Sequence, residues 1–466
     1  MFVAYTTIGS QRGTPRFWIE GQSLASVGIQ PGDSYAVEYD LDRKRMTLTL
    51  GEGEGRISRR KRGGAEYPIV DRSNRELARL FPEGTRVRVV VKADQIVVTL
   101  HHHDEKRERR ERRLLTRFED GKPLKVGSMA HGGGVLSWAL HEGLSRAGVR
   151  SGLRFAIESE SRYLDVAAAN NPLWQEGDPT GIIGRMEEVE VPSLPEIDIL
   201  EAGLPCTGAS LSGRAKNHLG AAEQHETAGA LFVAFLRVVE HCNPSMIILE
   251  NVPPYQSTLS MTVIRSALTN LGYTLQETVL NGPEHGAVEN RDRLCVVALS
   301  EGIAEGFDLD RIEAHHPKAG DRLKDVLEPD EAVEGRWKAY DYLNAKEERD
   351  KAAGKGFARQ LLTGEEATCG TLGRGYSKAR STEPFIQHPT DGSLSRLLTP
   401  TEHARVKTIP ERLVAGLGAT LAHEVLGQSV IFNAFADLGV ALGKHLGRLG
   451  AATPRTQRPP ASLIAA

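Results

Sequence analysis

The sequence predicts an α/β protein with a mostly parallel β-sheet, helices on both faces of the sheet, and a smaller β-rich domain in front of it. Two apolar runs, at 196–202 and 245–249, carry this prediction, because runs of this length bounded by turn residues are typical of buried parallel strands. Pro205-Cys206 follows the first run and Glu250-Asn251 follows the second. Since ligands bind beyond the carboxyl ends of such strands, we expect a thiol and a carboxylate at one edge of the sheet.

Composition excludes several classes of protein. The net charge of −3 gives no overall attraction to polyanions. The sequence has no run of about 18 apolar residues, so we expect no membrane span. Its start lacks the pattern of a signal peptide, and its 4 cysteines form no C-x-x-C pair. We therefore expect a cytoplasmic protein without a disulfide framework or a metal site.

Basic residues are nevertheless concentrated in clusters at 56–62, 106–113 and 374–380. Each cluster alone is compatible with a solvated face. Because they flank the predicted α/β core, the clusters together favour a polyanionic partner. The run His101–His103 is interpreted as the polar end of a strand, with a metal site as the alternative.

Changes in periodicity divide the chain into segments. Residues 1–100 contain alternating strand patterns at 35–39, 45–50, 86–92 and 95–100. From Pro123 onward, strands alternate with helices. We predict a small β-rich N-terminal domain at 1–100, a charged linker helix at 101–122, the main α/β domain at 123–300, an irregular domain at 301–395, a segment that completes the α/β domain at 396–450, and a disordered tail at 451–466.

Individual elements follow from the same patterns. Helices are predicted at 135–147, 227–241 and 430–446, and strands at 154–158 and 294–299. In the N-terminal domain, the segments 16–21 and 28–33 together resemble part of the AbrB-like swapped-hairpin DNA-binding modules. The alternative for this domain is packing or dimerisation.

Six segments, in order, resemble the sequence blocks of the cytosine-5 DNA methyltransferases. They are Pro205-Cys206, Thr227–Phe232, Glu250–Val252, Glu289–Arg293, Arg396–Pro410 and Gly427–Val430. The resemblance covers residues 125–446 and leaves 301–395 for a target-recognition domain. It implies a class I, Rossmann-like methyltransferase fold. The implied reaction moves a methyl group from S-adenosylmethionine to carbon 5 of cytosine in double-stranded DNA, through a covalent Cys206 adduct to a flipped base.

The implied chemistry accounts for these residue types. A cysteine thiolate is a strong nucleophile near neutral pH, and its addition at carbon 6 makes carbon 5 of cytosine nucleophilic. The resemblance assigns Cys206 to this addition, Glu250 to ring N3 and the exocyclic amine, and Arg293 to ring O2. It assigns Arg291 to steadying the loop and a neighbouring phosphate. The other cysteines are interpreted as small buried residues.

The implied cofactor is S-adenosylmethionine. Gly132, Gly133 and Gly134 lie between a predicted strand and helix, where glycines let the backbone approach a ligand. Glu158 ends the next strand, where a carboxylate can hold ribose hydroxyls. The resemblance adds the remaining cofactor-binding residues, which are Met129, Arg185, Pro205, Leu231 and Ser429.

The sequence departs from the family pattern around the cofactor. Met129 and His131 stand where the family has an aromatic residue and a glycine, and Arg185 stands where it has an acidic residue. Glu289 replaces a glutamine, and Gln428 replaces an asparagine. Two explanations remain open. The protein binds the ordinary cofactor in a diverged pocket, or it binds a modified cofactor whose anionic group contacts Arg185 or His131.

Residues 370–378 combine glycines, an aromatic ring and cations, which is typical of a DNA-contacting loop, with an ordinary surface loop as the alternative. The predicted substrate-binding residues are Asn251, Val252, Thr371, Leu372, Arg374, Tyr376, Lys378 and Arg380. We expect a monomer on double-stranded DNA, bacterial or phage-encoded, with a cognate restriction endonuclease as a candidate partner. The alternative function is a non-catalytic or altered-cofactor DNA-binding homologue that acts as a regulator.

Overall fold

The computed structural model describes residues 1–205, 231–354 and 357–452. The chain divides into two compact units, Met1–Arg109 and Arg110–Ala466. The boundary falls within a single helix, His102–Glu119. The predicted disordered tail lies outside the described residues from position 453 onward.

The first unit consists of short strands, two helices and the first half of a third helix. Its strands are β1 (Phe2–Thr7), β2 (Gly9–Gln11), β3 (Thr14–Glu20), β4 (Ser34–Asp40), β5 (Arg45–Leu50), β6 (Gly55–Arg56), β7 (Ser58–Arg62), β8 (Ala65–Arg72), β9 (Arg86–Val91) and β10 (Gln95–Leu100). Its helices are α1 (Gln22–Ser26), α2 (Arg75–Leu80) and the first half of α3 (His102–Glu119). The strands form antiparallel sheets in the orders β1-β9-β10-β5-β4-β6 and β2-β3-β8-β7.

Alternation of side chains builds the core of this unit. In β9 the side chains of Val87, Val89 and Val91 are fully buried, and in β10 those of Ile96 and Val98 are. Because successive residues on a strand point to opposite faces, each strand contributes one apolar face to the core. The four strands predicted from this alternation are confirmed.

The second unit is built on a seven-stranded sheet. Its strands are β11 (Leu124–Met129), β12 (Ser151–Glu158), β13 (Thr180–Ile183), β14 (Ile199–Gly203), β15 (Met246–Asn251), β16 (Tyr273–Asn281) and β17 (Asp292–Ser300). Their order is β13-β12-β11-β14-β15-β17-β16, and among these strands only β17 runs against the others. The prediction of a mostly parallel sheet is confirmed.

Helices cover both faces of this sheet, as predicted. The described helices of this unit that follow α3 are α4 (Val135–Arg146), α5 (Ser161–Asn170), α6 (Pro172–Gln175), α7 (Leu231–Cys242), α8 (Leu259–Asn270), α9 (Glu301–Ala304), α10 (Asp330–Val333), α11 (Asp341–Ala352), α12 (Pro400–Val406), α13 (Ala419–Gln428) and α14 (Phe432–Ala452). In β15, Ile248 packs with α4 and α14, whereas Ile247 and Leu249 pack with α7 and α8. Burial on both faces explains why this strand is an uninterrupted apolar run.

The last helix, α14, packs closely against α4. A Cβ atom at Gly439 would lie 2.6 Å from the carbonyl oxygen of Leu140, and one at Gly143 would overlap the carbonyl oxygen of Ala436. Glycine at these two positions lets the helix backbones touch. The helices predicted at 135–147 and 430–446 correspond to α4 and α14. The one predicted at 227–241 is α7, described from Leu231.

Between β17 and α12 the chain forms a separate small sheet. Its strands are β18 (Lys338–Ala339), β19 (Gln360–Leu362), β20 (Pro384–Gln387) and β21 (Leu394–Arg396), in the order β18-β21-β20-β19. Leu323, Leu372, Tyr376 and Ile386 are buried together beside it. Across the described ranges, no single helix is long and apolar enough to cross a membrane. The pair Ala419–Gln428 and Phe432–Ala451 meets that criterion only jointly, and it is bent by 43°.

Candidate active site

The order of the strands creates a crevice at one edge of the large sheet. β12 pairs with β11 on one side, whereas β14 pairs with β11 on the other. Such a reversal leaves a cleft beyond the carboxyl ends of the two adjacent strands, where open α/β sheets bind ligands. The loop 130–134 follows β11 and Leu204-Pro205 follows β14. Two predicted site segments therefore meet at this crevice.

Glu250 and Arg293 form an ion pair at this edge. Arg293 Nε lies 2.8 Å from Glu250 Oε1, and the two side chains are only 15% and 14% exposed. Burial raises the pKa of Glu250, and the positive charges of Arg293 and Arg291 oppose that rise. Arg293 reaches this edge because β17 runs antiparallel to β15, so that β17 begins where β15 ends. The structure thus brings together the two residues predicted to bind the base.

The end of β14 fits closely against this ion pair. A Cβ atom at Gly203 would lie 3.3 Å from Glu250 Oε2. Asn251 Nδ2 donates a hydrogen bond to the carbonyl oxygen of Leu204 at 3.2 Å, and its Oδ1 accepts one from the Val252 amide at 2.9 Å. Asn251 is buried, so we correct its predicted role. It holds the segment before the predicted nucleophile, and Val252 is half-buried beside it.

The predicted nucleophile, Cys206, lies outside the described residues, and the exposed Pro205 is the last described residue of its loop. Cys242, Cys295 and Cys369 are free thiols buried in the protein. Burial raises their pKa, that of Cys242 to about 12. Because the thiolate is the reactive form, these three thiols are poor nucleophiles at neutral pH, in line with their interpretation as packing residues.

Arg291 is buried, which corrects the prediction that it contacts a phosphate. Its NH1 lies 3.3 Å from Glu289 Oε1, and its NH2 donates to the carbonyl oxygen of Gly427 at 3.1 Å. The side chain is 3% exposed. It therefore braces the segment before β17 against the last turn of α13, and we interpret it as a positioning residue.

The glycine loop after β11 forms a cradle that side chains would fill. Gly132 and Gly134 have φ angles of 56° and 75°. A Cβ atom at Gly134 would lie 2.6 Å from both Asn171 Nδ2 and His131 Nε2. At Gly133 a Cβ would lie 2.6 Å from Val425. The loop thus requires glycine for both conformation and space, which fits close approach of a ligand to its backbone.

Glu158 lies beside this cradle. Its Oε2 accepts a hydrogen bond from the Gly132 amide at 2.8 Å, and its Oε1 accepts one from the Glu160 amide at 3.0 Å. A carboxylate offers about four lone-pair sites, so Glu158 retains capacity for hydroxyl donors. Met129 and Leu231 belong to one apolar cluster. A glycine cradle, a carboxylate and an apolar wall suit a nucleoside-containing cofactor.

The end of α13 closes the same loop. Gln428 Nε2 would lie 3.3 Å from a Cβ atom at Gly132, and this buried amide has no hydrogen-bonding partner among the described residues. Ser429 is nearly buried, and its Oγ donates to the carbonyl oxygen of Val425 at 2.6 Å. The unpaired amide of Gln428 is thus a donor available next to the cradle.

His131 is neutral and structural, which corrects one predicted role for it. Its Nε2 accepts a hydrogen bond from Trp174 Nε1 at 3.3 Å, so Nδ1 carries the proton toward Ser128 Oγ at 2.8 Å. Burial lowers the pKa of His131 to about 3. It therefore offers no positive charge to an anionic cofactor group.

Arg185, predicted to bind the cofactor, has an exposed side chain. Its side chain is 53% exposed and pairs with Glu187 at 2.8 Å. It lines a cavity beside the outer strand β13, together with Ile182 and Val189, and no residue of the glycine loop lines that cavity. The residue before Arg185, Gly184, donates from its amide to the carbonyl oxygen of Glu158 at 3.0 Å, so Arg185 follows directly on a residue bonded to the cradle.

The predicted DNA-contacting residues separate into two groups. Thr371, Arg374, Lys378 and Arg380 are exposed. Leu372 and Tyr376 are fully buried, so we correct the prediction that they contact DNA. The Tyr376 hydroxyl donates to the carbonyl oxygen of Pro384 at 2.8 Å and accepts from the Leu398 amide at 2.9 Å. The ring is therefore a core residue of the small domain.

Sequence reasoning missed two buried charged residues, Glu201 and Lys407. Glu201 lies within β14, and burial raises its pKa to about 7. The nearby hydroxyls of Ser128 and Ser137 favour its charged form, although neither carboxyl oxygen has a well-aligned hydrogen-bond donor among the described residues. Lys407 is fully buried, and its Nζ lies 2.6 Å from Glu289 Oε2. A glutamate inside an otherwise apolar run was the one available signal.

Comparison with known proteins decides the family. The family model for C-5 cytosine-specific DNA methylases matches residues 135–444. The chain belongs to this family. The predicted family, the predicted class of enzyme and the predicted methyltransferase fold are thereby confirmed, whereas the AbrB-like resemblance of the N-terminal domain and the domain boundaries stay predictions.

Individual relatives of this C-5 cytosine-specific methylase agree. The Type II methyltransferase M.SsoII of Shigella sonnei is 27% identical over 276 residues, which are 56% of this chain and 67% of the relative. The Type II methyltransferase M.NlaX of Neisseria lactamica is 28% identical over 257 residues, which are 53% of this chain and 77% of the relative. Among solved structures, the S. pombe Dnmt2 methyltransferase matches with a TM-score of 0.54 at 17% identity, over 70% of this chain and 99% of that chain.

Proposed function

We propose that this C-5 cytosine-specific methylase transfers a methyl group from S-adenosylmethionine to carbon 5 of cytosine in double-stranded DNA. The ion pair between Glu250 and Arg293 carries the proposal, because it presents a carboxyl and a guanidinium group together beside the crevice. A cytosine ring offers N3 and an exocyclic amine to a carboxyl group, and O2 to a guanidinium. The two side chains are therefore matched to one edge of the target base.

Cys206 supplies the nucleophile in this proposal. Its thiolate forms a bond to carbon 6, and the electron pair of the 5,6 double bond makes carbon 5 nucleophilic. S-adenosylmethionine, when bound, supplies an electrophilic methyl group on a sulfonium, which is released as a thioether. After carbon 5 has taken the methyl group, a base removes the carbon 5 proton and the bond between carbon 6 and sulfur breaks. The double bond and the thiolate are restored.

Glu250 controls the charge that develops on the ring. Addition at carbon 6 makes N3 more basic, so a proton held at N3 by Glu250 stabilises the adduct. Because burial raises the pKa of Glu250, this carboxyl keeps its proton closer to neutral pH than an exposed glutamate does. Arg293 holds O2 and fixes the carboxyl in place. Acid catalysis of this kind contributes about 10²- to 10⁴-fold to a rate.

The residues around the glycine loop fit the cofactor. Gly132, Gly133 and Gly134 leave room for it against the backbone, and Glu158 has capacity for ribose hydroxyls. Met129 and Leu231 would flank the adenine, while Pro205 and Ser429 would close the site. These contacts are proposals that rest on the cradle and on the family to which the chain belongs.

The target base must leave the double helix, since a thiol cannot reach carbon 6 inside the base stack. We infer that residues 301–395 form the target-recognition domain, with Thr371, Arg374, Lys378 and Arg380 as its exposed DNA-contacting residues. The relatives M.SsoII and M.NlaX are named Type II methyltransferases, which supports a restriction-modification setting. We therefore propose a bacterial or phage-encoded cytoplasmic enzyme that acts as a monomer, alongside a cognate endonuclease.

Nucleoside mass spectrometry tests the reaction. Duplex DNA incubated with the full chain and S-adenosylmethionine should gain 5-methylcytosine, and Cys206→Ala should abolish it. Cys242→Ala is a matched control, because it removes a buried thiol whose pKa is raised to about 12 and should keep the activity. An oligonucleotide with 5-fluorocytosine at the target position should trap a covalent complex. Fluorine replaces the carbon 5 proton that a base must remove before Cys206 is released.

The same assay separates the enzyme from the regulator alternative. Suppose that the wild-type chain binds DNA, but that calorimetry detects no binding of S-adenosylmethionine and the fluorinated oligonucleotide forms no covalent complex. The proposed reaction is then wrong. The regulator would then be the better explanation. Equal methylation by wild type and Cys206→Ala would instead show that the nucleophile has been wrongly assigned.

A further inference from the structure

A buried ion pair joins the segment that carries Arg293 to the residue that follows α12. Glu289 Oε2 lies 2.6 Å from Lys407 Nζ, and both side chains have no exposed surface. Among the described residues, neither atom has a hydrogen-bonding partner beyond this contact. Burying two charges is costly unless they are paired, so each of these residues depends on the other.

The second carboxylate oxygen of Glu289 binds the recognition loop. Its Oε1 accepts a hydrogen bond from the Leu372 amide at 3.1 Å and lies 3.3 Å from Arg291 NH1. One carboxylate thus holds a lysine that follows α12, a backbone amide of the loop, and the guanidinium that braces α13. Losing its charge or position would disturb all three contacts.

Backbone hydrogen bonds dock the same loop at the same place. Cys369 donates from its amide to the carbonyl oxygen of Val288 at 2.9 Å, and its own carbonyl accepts from the Asn290 amide at 2.9 Å. The Thr371 hydroxyl donates to the carbonyl oxygen of Asn290 at 2.8 Å. The loop 369–373 is therefore hydrogen-bonded to residues 288–290 in the manner of a short parallel strand.

Lys407 is anchored to the α/β core. Its carbonyl oxygen accepts from the Phe432 amide at 3.1 Å, at the start of α14. The Val288 and Glu289 amides both donate to the carbonyl oxygen of Val406, at 3.0 and 2.9 Å. The pair thus joins a fixed point of the core to the docked loop. Arg293, which forms the ion pair with Glu250, follows Glu289 by four residues along the chain.

We propose that Glu289 and Lys407 are a positioning pair that couples docking of the recognition loop 369–373 to the placement of Arg293 beside Glu250. The inference rests on the proposed function and deepens it. The pair also accounts for one departure of the sequence. Where the family has a neutral glutamine, this chain has a charged glutamate, and a buried lysine neutralises it.

The test compares four forms of the full chain: wild type, Lys407→Met, Glu289→Gln and the double variant. Lys407→Met leaves an uncompensated buried carboxylate, and Glu289→Gln leaves an unpaired lysine next to Arg291. The double variant replaces the pair by neutral groups of similar size, which is often tolerated. We expect each single variant to lower kcat at saturating DNA by roughly tenfold to a hundredfold, and the double variant to recover most of that loss.

Arg113→Met is the structural control. It removes one of two guanidinium groups that pair with the fully buried Asp198 at the opposite edge of the sheet, Arg113 at 3.0 Å, and leaves Arg117 at 3.2 Å. We expect it to lower thermal stability while kcat at a permissive temperature stays unchanged. A kcat loss as large in Arg113→Met as in Lys407→Met, or a double variant no better than the single ones, would overturn the proposal.

Hydrogen exchange keeps the test independent of methylation. In Lys407→Met, the amides of Asn290, Cys369 and Leu372 should exchange faster together with those at 293–295, and the double variant should slow them again. Faster exchange confined to the residues next to position 407 would refute the coupling. If the wild-type chain made no 5-methylcytosine, the proposed function would fail, but the exchange pattern would still decide the role of the pair.

Discussion

Glu250 Oε2 lies so close to Gly203 that a Cβ atom at position 203 would be only 3.3 Å from it. The two residues are register partners on β15 and β14, the strands that carry the predicted acid and the predicted nucleophile loop. The absence of a side chain at Gly203 therefore allows the Glu250 carboxyl group to lie close to the backbone that leads into the nucleophile loop.

Gly203→Ala should displace the Glu250 carboxyl and lower kcat roughly tenfold, with little loss of stability, because a side chain can move by a few tenths of an ångström where a backbone cannot. Steady-state kinetics and a thermal melt would measure both quantities. Gly152→Ala is the control, since a Cβ there meets nothing within 4 Å on the same sheet. If both variants kept full activity, the spacing between Gly203 and Glu250 would have no catalytic importance.

Glu250→Gln should lower kcat by about 10²- to 10⁴-fold while cofactor affinity stays the same, because it removes the proton donor without changing size. Single-turnover methylation and calorimetry with S-adenosylmethionine would separate the two effects. Glu277→Gln removes a glutamate from another Glu–Arg ion pair, with Arg265 on α8, and should leave kcat unchanged. A loss of cofactor binding that matched the loss of rate would argue against a proton-donor role.

Glu201→Gln should make stability less dependent on pH. Burial raises the pKa of Glu201 from its ordinary value of 4.5 to about 7 in the folded protein, so between these pH values the folded state holds a proton that the unfolded state has lost. Wild-type stability should therefore fall as pH rises from 4.5 to 7, by about 3 kcal/mol at most. Urea unfolding at pH 5 and pH 8 should show the variant gaining on wild type at pH 8. An equal difference at both pH values would contradict the shift.

Gly134→Ala should weaken cofactor binding and destabilise the fold, because the new methyl group would lie 2.6 Å from Asn171 Nδ2 and His131 Nε2. Gly148→Ala is matched to it in backbone strain, with a φ of 78° against 75°, but a Cβ at that position has open space. The difference between the two variants measures the steric part alone. We expect Gly148→Ala to cost about 1 kcal/mol and to leave cofactor affinity intact.

Tyr376→Phe should destabilise the protein by about 1–3 kcal/mol, because it leaves the buried carbonyl of Pro384 and the amide of Leu398 without their partner. DNA affinity of the folded variant should not change.

Lys378→Ala should do the opposite of Tyr376→Phe. It should keep stability while lowering DNA affinity and reducing the salt dependence of binding by about one phosphate contact. Binding titrations at several salt concentrations would reveal a reversed assignment.

The fold was largely predictable because its central strands are short apolar runs ended by turn residues, and both their length and these flanking residues favour a strand over a buried helix. Glu250 was predictable from its place at the end of a strand, and the role of Arg293 followed from the resemblance of 289–293 to the family's Gln-x-Arg-x-Arg block. What the sequence could not reveal was the direction in which polar side chains point. Asn251, Arg291 and Tyr376 have polar atoms that suit a substrate equally well, but backbone groups of neighbouring segments use them.

Lys407 escaped prediction for a related reason. A lysine after an amphipathic helix is usually solvated, and only the distant Glu289 makes its burial possible. Partners separated by more than a hundred positions leave no local pattern. His131 is similar, since its departure from the family glycine suggested an anion ligand until Trp174 and Ser128 were seen to occupy both of its ring nitrogens.

The glycine crossing between α4 and α14 has a consequence for how the polypeptide is made. Synthesis proceeds from the amino end, so α4 emerges from the ribosome nearly three hundred residues before α14 can cover it. During that interval the apolar side of α4 that carries Leu140 and Leu144 stays open to nonspecific association. Nascent chains stalled before residue 432 should therefore recruit chaperones, and release of α14 should end that dependence.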